Sequence, residues 1–277
     1  MKEFIKYQSL GNDFIVFDWY KKPAIFMDRL LQTNSWATSV KHLCARHYGI
    51  GADNILILTS NTQQVIPEIS IFNADGSQAQ TCLNGLRCIA HHLLQTYHFP
   101  NSFTIKMGNR QFQCQAGDDI ITSLDPVVYE GPVRVMAEEI SYDGHVVNVG
   151  NPHFIVFKSI PLDWLASHGE GLESHPQFPQ KTNVEFVSQG GVDSDGHAVY
   201  NMLVYERGCG ITLACSSGAA AVTGLLYVQG HIVPEQKISL IMPGGVATTW
   251  VDAHGRVFLS APAQPVYKGT VLLDVDI

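Results

Sequence analysis

Two stretches of this chain are versions of each other, and each ends in a cysteine placed where a helix begins. Asn73-Ala-Asp-Gly-Ser-Gln-Ala-Gln-Thr-Cys82-Leu-Asn-Gly85 can be laid over Glu206-Arg-Gly-Cys-Gly-Ile-Thr-Leu-Ala-Cys215-Ser-Ser-Gly218. In both, nine positions separate the leading polar residue from the cysteine, and a glycine follows three residues later. A second pair lies upstream: Gly11-Asn12-Asp13-Phe14-Ile-Val-Phe17 and Gly150-Asn151-Pro152-His153-Phe154-Ile-Val-Phe157. The order of Gly-Asn-strand followed by Cys-helix therefore occurs twice. A duplicated chain of this kind folds as two similar halves with pseudo-twofold symmetry, which would set the two cysteines opposite each other.

Short strands dominate the pattern. Phe14–Phe17, Ile55–Leu58, Ile69–Phe72, Phe103–Met107 and Phe112–Ala116 are short apolar or alternating runs bounded by turn residues. Val146–Val149, Phe154–Phe157, Val184–Val187, Val199–Tyr205 and Ile238–Ile241 read the same way in the second half. Strands that follow one another without helices between them predict mostly antiparallel sheets. Each half carries one prominent helix directly after its cysteine. Leu86, Ile89, Ala90, Leu93 and Leu94 share one helical face, and Ala219–Val228 is apolar nearly all round, the mark of a buried helix inside a curled sheet. Pro161–Lys181, rich in Gly, His and Pro, reads as an irregular insertion. The spacing predicts an α+β fold of two pseudo-symmetric, strand-rich domains, each a mostly antiparallel, barrel-like sheet around a central helix. The boundary falls at 1–120 and 121–263, with a last strand at about 264–277 that can return to either half.

A chain of 277 residues is long enough for two such domains, and 45% hydrophobic content fills their cores. A formal net charge of -8 without a basic cluster argues against a nucleic-acid partner. No apolar run approaches the roughly 18 residues of a membrane span. The first residues move straight into strand-like sequence, so a cytoplasmic protein is expected. In a reducing compartment the six cysteines, Cys44, Cys82, Cys88, Cys114, Cys209 and Cys215, are expected as free thiols. None has the spacing of a structural metal site.

The position of the two matched cysteines has a chemical meaning. A helix start presents unpaired N–H groups and partial positive charge, which favour a thiolate and also bind anions. Cys82 with Leu83, Asn84 and Gly85, and Cys215 with Ser216, Ser217 and Gly218, each place a reactive sulfur beside such a cradle. Two thiols flanking one carbon are what a racemase needs. A cysteine taken alone is usually an inert core residue. A pair in matched positions of a repeat is not. The other four cysteines have no matched partner and read as core or surface thiols.

The separate motifs, taken together, resemble a known family. Asn73-Ala-Asp-Gly-Ser, Arg87 after Asn84-Gly85, Gly150-Asn151-Pro152-His153, Thr182-Asn183-Val and Glu206-Arg207-Gly with Thr212-Leu-Ala-Cys215 are similar to the diaminopimelate epimerases. The resemblance runs from Gly11 through Gly245. It implies a cofactor-independent epimerase of LL- and meso-2,6-diaminopimelate, serving lysine and peptidoglycan synthesis, without pyridoxal phosphate, metal or nucleotide. It also implies a homodimer. On this resemblance Cys82 and Cys215 exchange the α-proton, with His153 and Glu206 beside the thiols. Asn12 and Asn54 fall near the reacting centre. Asn73, Asn151, Asn183 and Arg207 grip the far amino-acid end, with Glu206 near its ammonium. Leu83, Asn84, Ser216 and Ser217 supply the helix-start donors. An Arg207 guanidinium suits a carboxylate because its planar donors match both oxygens.

Four positions depart from the family pattern. Leu83 and Ser216 stand where glycine follows each cysteine, Ile211 replaces an acidic residue, and Asn54 is shorter than the glutamine of some members. The backbone N–H survives the first two changes, although Leu83 adds bulk. These departures keep open a paralogous racemase for another amino acid, of the proline- or histidine-racemase kind, since one fold hosts several substrates. A silent amino-acid-binding protein is the third reading. The two retained cysteines speak against it.

Overall fold

The computed structural model describes residues 2–21, 34–61, 64–79 and 81–272; residues 273–277, the end of the expected final strand, lie outside them. The chain divides into two compact units, Met1–Thr122 with Pro262–Ile277, and Ser123–Ala261. The first unit contains β1 (Lys2–Ser9), β2 (Asn12–Asp18), α1 (Asn34–Cys44), β3 (Asn54–Asn61), β4 (Gln64–Asn73), β5 (Gln78–Ala79), α2 (Leu83–Tyr97), β6 (Ser102–Met107) and β7 (Arg110–Ala116). Strand β8 (Ile120–Leu124) crosses the boundary. The second unit contains β9 (Val128–Ala137), β10 (Ile140–Asn148), β11 (Pro152–Phe157), α3 (Leu162–Glu173), β12 (Asn183–Val192), β13 (Ala198–Glu206), β14 (Gly210–Ile211), α4 (Ser216–Val228), β15 (Ile238–Met242), β16 (Gly245–Val251) and β17 (Val257–Ala261). The last strand, β18 (Gln264–Val271), returns to the first unit and pairs antiparallel with β1.

The two units repeat one another strand for strand. In the first, β1 pairs antiparallel with β2, β2 runs parallel to β3, β3 is antiparallel to β4, and β4 is parallel to β6. In the second, β10, β11, β12, β13 and β15 follow the same sequence of orientations. The outer strand is supplied by β18 in one unit and β9 in the other. The parallel pairs are where the chain passes through a helix. A crossover needs that length, whereas hairpins suffice elsewhere. The sheets are thus mostly antiparallel, as the strand pattern predicts, with two parallel steps in each unit.

Each sheet curls around its cysteine helix. Helix α4 touches β10 and β11 at one end of the strand order and β16 and β17 at the other. Helix α2 touches β1, β7 and β18. A second helix covers the outer face. Trp36, Val40 and Leu43 of α1 pack with Ile15, Phe17, Ile55 and Ile57, and Leu165 and Leu172 of α3 pack with Phe154, Val156, Val184 and Phe186. Strands covered on both faces carry continuous apolar runs rather than alternation, which explains why Phe14–Phe17 and Ile55–Leu58 are wholly buried.

The stretch Pro161–Lys181 corrects the sequence reading. Its first part is α3, and its glycine serves packing: a methyl on Gly169 would stand 2.2 Å from the Tyr205 ring. Local composition suggested a loop because that close approach requires glycine. The helix also positions the turn after β13, since the buried Glu173 accepts the Gly208 N–H at 2.9 Å and the Lys181 ammonium at 3.0 Å. Leu172→Ala should lower unfolding free energy by about 2–5 kcal/mol, read from urea unfolding. A loss below about 0.5 kcal/mol would show that α3 is not an integral layer.

Candidate active site

Both matched cysteines are helix N-caps. Cys82 is extended (φ -148°, ψ 104°) and its sulfur accepts the Gly85 N–H at 3.4 Å. Cys215 repeats this (φ -119°, ψ 106°), accepting the Gly218 N–H at 3.3 Å. An N-cap acceptor is ordinarily Ser, Thr, Asp or Asn. A sulfur in that role is held at the positive end of the helix dipole. The third helical residue is glycine in both units because strand side chains press against it. A methyl on Gly85 would stand 2.9 Å from Leu56, and one on Gly218 would stand 2.6 Å from Glu185.

In the first unit the polar residues form a chain leading to Cys82. The Cys82 thiol points to Asn12 Oδ1 at 3.8 Å, and Asn84 Nδ2 donates to the same oxygen at 3.4 Å. The other end of Asn12 is held, because its Nδ2 donates to Asp53 at 2.8 Å. Asp53 and Asp13 are themselves gripped by Arg46, which bonds Asp13 through two nitrogens at 2.9 and 3.0 Å and Asp53 at 2.7 Å. The buried Lys6 adds an ion pair to Asp13 at 2.7 Å. Burial pushes the Asp13 carboxyl up, but hydrogen bonds from Arg46 and Lys6 outweigh it and hold it at about 2. Behind Asn84 lies the wholly buried Arg87, whose guanidinium binds Asn84 Oδ1 and Ser9 Oγ, and which burial lowers to about 10. Asn54 donates to Asn73 Oδ1 across the β3–β4 pair at 3.0 Å, and Asn73 donates to Ser77 at 3.0 Å. Leu83 is buried, with its N–H in the first turn of α2.

The second unit surrounds its thiol with carboxylates. Cys215 donates to Glu206, which also accepts from Thr212, and Ser217 Oγ lies 3.3 Å from the sulfur. Burial pushes the Glu206 carboxyl up against these hydrogen bonds. Burial, then the charges of Glu206 and Glu185, push the Cys215 thiol well above its ordinary range. His153 is wholly buried, with Nδ1 2.6 Å from Glu185 and Nε2 3.2 Å from Asn151 Oδ1. Asn183 spends both ends of its amide inside the unit. Its Nδ2 donates to the Pro152 carbonyl at 2.9 Å and its Oδ1 accepts the Arg207 N–H at 3.0 Å, so it fixes the Arg207 turn. Arg207 itself reaches the Gln180 carbonyl at 3.4 Å. Ser216 is buried at the first helical position.

The structure thus places Cys82, Asn12, Asn84 and Leu83 at one helix start, with the Asn54–Asn73 pair in the same unit, and Cys215, His153, Asn151, Asn183, Glu206, Arg207, Ser216 and Ser217 in the other unit. Sequence reasoning missed Glu185, Asp53 and Arg46. Glu185 had a signal: a carboxylate inside the run Val184-Glu185-Phe186-Val187, every member of which is buried. Among the described residues no group of three or more His, Cys, Asp or Glu side chains is placed to hold a metal ion, and no described helix is long and apolar enough to cross a membrane.

The diaminopimelate epimerase family model matches residues 4–134 and 145–265. The chain is 32% identical to the diaminopimelate epimerase of Carboxydothermus hydrogenoformans, over 98% of this chain and 100% of that protein. It is 33% identical to that of Microcystis aeruginosa, over 96% and 97%. Among solved structures, a hydroxyproline epimerase from Agrobacterium vitis shares the fold with a TM-score of 0.72 at 14% identity, covering 99% of this chain and 93% of that one. A PhzF-family phenazine biosynthesis protein from Bacillus anthracis has the same score and identity, covering 98% and 99%.

Two pH effects follow from these environments. Asp13 contributes stability that is present above the ordinary carboxyl value of 3.8 and lost as pH falls toward about 2. Arg46→Ala should therefore raise the pH of acid unfolding, followed by circular dichroism; an unmoved midpoint would remove Arg46 from the brace. At the other end, burial raises Cys44 and Cys114 from 9.0 to about 12. Their contribution is complete below 9.0 and is lost as pH rises toward about 12. Urea midpoints should fall between about pH 8 and pH 10.5, and less steeply in Cys114→Ala.

Proposed function

From its membership of the diaminopimelate epimerase family, to which this chain belongs, we infer that it interconverts LL- and meso-2,6-diaminopimelate with Cys82 and Cys215 as the two proton-transfer groups. The chain is an isomerase of the epimerase class. The observation that carries the cysteine assignment is the matched capping geometry: in each unit a sulfur, and not a hydroxyl, caps the buried helix and accepts from the third-residue glycine N–H.

An amino-acid α-proton is very weakly acidic, so its removal needs oriented donors that stabilise the carbanion's carboxylate in a dry site. The helix starts supply such donors from Leu83, Asn84, Ser216 and Ser217. One sulfur takes the proton as thiolate while the other delivers one as thiol to the opposite face, and the roles exchange in the reverse direction. The two half-sites differ in a way that suits this division. Both sulfurs cap a helix N-terminus, and behind the first lies the wholly buried Arg87 cation. The second holds its sulfur as a thiol, through burial and the Glu206 and Glu185 carboxylates. Glu206, bonded to the Cys215 thiol, is placed to take its proton when the direction reverses. Arg207, Asn73, Asn151 and Asn183 are assigned to the far amino-acid end of the substrate, Asn183 through the Arg207 turn it fixes. Asn12 and Asn54 stand nearer the reacting carbon. The cofactor-free and homodimeric parts of this reading rest on the family resemblance.

The test is α-proton exchange in deuterated buffer under reducing conditions, with LL- and meso-diaminopimelate, proline, histidine and glutamate. Exchange with inversion is expected on diaminopimelate alone. Cys82→Ala and Cys215→Ala should each lose it by roughly 10²–10⁴-fold. Inversion of a different amino acid would overturn the substrate, and inversion surviving either substitution would overturn the two-thiol mechanism.

A further inference from the structure

The repeat between the two units breaks at one buried place. In the first unit the parallel pair β2–β3 sets Phe14 opposite Asn54, with Leu56 two residues further along. In the second, β11–β12 sets His153 opposite Asn183, with Glu185 two residues further along. Phe14 and Leu56 therefore occupy in one unit the positions that His153 and Glu185 occupy in the other. All four residues are fully buried. All lie on the inner face of their strands, since Ile15, Ile55, Phe154 and Val184 face the outer helices. Both pairs meet the same partner: Leu56 presses on Gly85 and Glu185 on Gly218, each the third residue of its cysteine helix.

The first unit shows that the scaffold is satisfied here by two apolar side chains. A buried ion pair in their place is a poor way to gain stability, because both groups lose their hydration. The Glu185 carboxylate is further from satisfaction than a structural pair requires. Its Oε1 is bonded to His153 at 2.6 Å, while its Oε2 is buried with no hydrogen-bond partner among the described residues. What the pair does accomplish is to fix the imidazole at both nitrogens, Nδ1 by Glu185 and Nε2 by Asn151 Oδ1 at 3.2 Å. Two acceptors facing two ring nitrogens suit a ring that carries both protons.

We propose that Glu185 is a positioning residue of the epimerisation: through its bond to Nδ1 it fixes the orientation and protonation of His153, the group that the second half-site has and the first lacks. The inference rests on the reading given under Proposed function. It extends that reading by an ordered series, Glu185 to His153 to Glu206 to Cys215. The charge of His153 favours the ionised form of Glu206, and Glu206 is bonded to the thiol. Removing Glu185 leaves His153 with no carboxylate to hold its Nδ1 proton. The Glu185 charge acts on the Cys215 thiol directly as well, and its loss acts a second time through His153 and Glu206, without Glu185 touching the substrate.

The experiment combines a spectroscopic signature with kinetics. In the wild-type protein a far-downfield proton resonance is expected for His153 Nδ1–H, absent in His153→Phe and moved upfield in Glu185→Gln. Glu185→Gln should lower kcat about tenfold or more while KM stays within about twofold, and Glu185→Asp should recover part of the loss. The double variant His153→Phe/Glu185→Leu copies the pair found in the first unit. It should fold with an undiminished melting temperature and be no slower than His153→Phe alone, because the two residues act as one unit. An unchanged kcat in folded Glu185→Gln, or a downfield resonance that survives it, would overturn the inference. Wild-type protein that leaves diaminopimelate untouched would instead overturn the substrate reading. The same variants would then be followed on whichever amino acid exchanges, so the two failures stay distinct.

Discussion

The first turn of a helix inside a curled sheet has backbone donors that water does not reach, and the rest of each unit depends on how that turn is satisfied. Here a sulfur accepts one donor, and the glycine that provides it lets the strands close to contact distance. A larger third residue would lift the helix off Leu56 in one unit and Glu185 in the other. The depth of the helix, the orientation of the cysteine and the closeness of the strands are therefore one constraint. It is met twice with the same residue types.

Around this shared frame the two halves carry different side chains. The first braces Asn12 from outside, through Asp53 and Arg46, so that its carbonyl oxygen is left for Cys82 and Asn84. The second encloses Cys215 with Glu206 and the His153–Glu185 pair. A duplicated scaffold does not impose a duplicated environment, because side chains facing the helix can change without altering strand order. The fold shared with a hydroxyproline epimerase and a PhzF-family protein at 14% identity makes the same point across chains.

How much of this was readable from sequence depends on the range of the interaction. The cysteine helices were readable because cap, glycine and apolar face are local, and the strands because runs such as Ile55–Leu58 are apolar throughout. The repeat itself was visible through Asn73 and Glu206, which the structure places at the ends of β4 and β13. Helix α3 was hidden because one of its glycines, Gly169, answers to Tyr205, a residue distant in the chain. The correspondence of Phe14 with His153 was also hidden. The Gly-Asn runs differ by one residue, and only the pairing of β2 with β3 and of β11 with β12 decides which residues match. Asp53 and Arg46 act through Asn12, and nothing in their own neighbourhood announces that.

The return of β18 to β1 gives the chain an order of assembly. Strand β9, which fills the same place in the second unit, is joined directly to its partner β10, so that sheet contains all its strands in one continuous segment. The first unit is emitted up to Thr122 and then lacks an outer strand until Pro262 and its successors appear. At a synthesis rate of about 5–20 residues per second, the intervening segment takes roughly 7–30 s to emerge. During that interval the edge of β1 is an open row of donors and acceptors, the kind of surface that recruits a foreign strand. On the ribosome, the half made first is the half completed last.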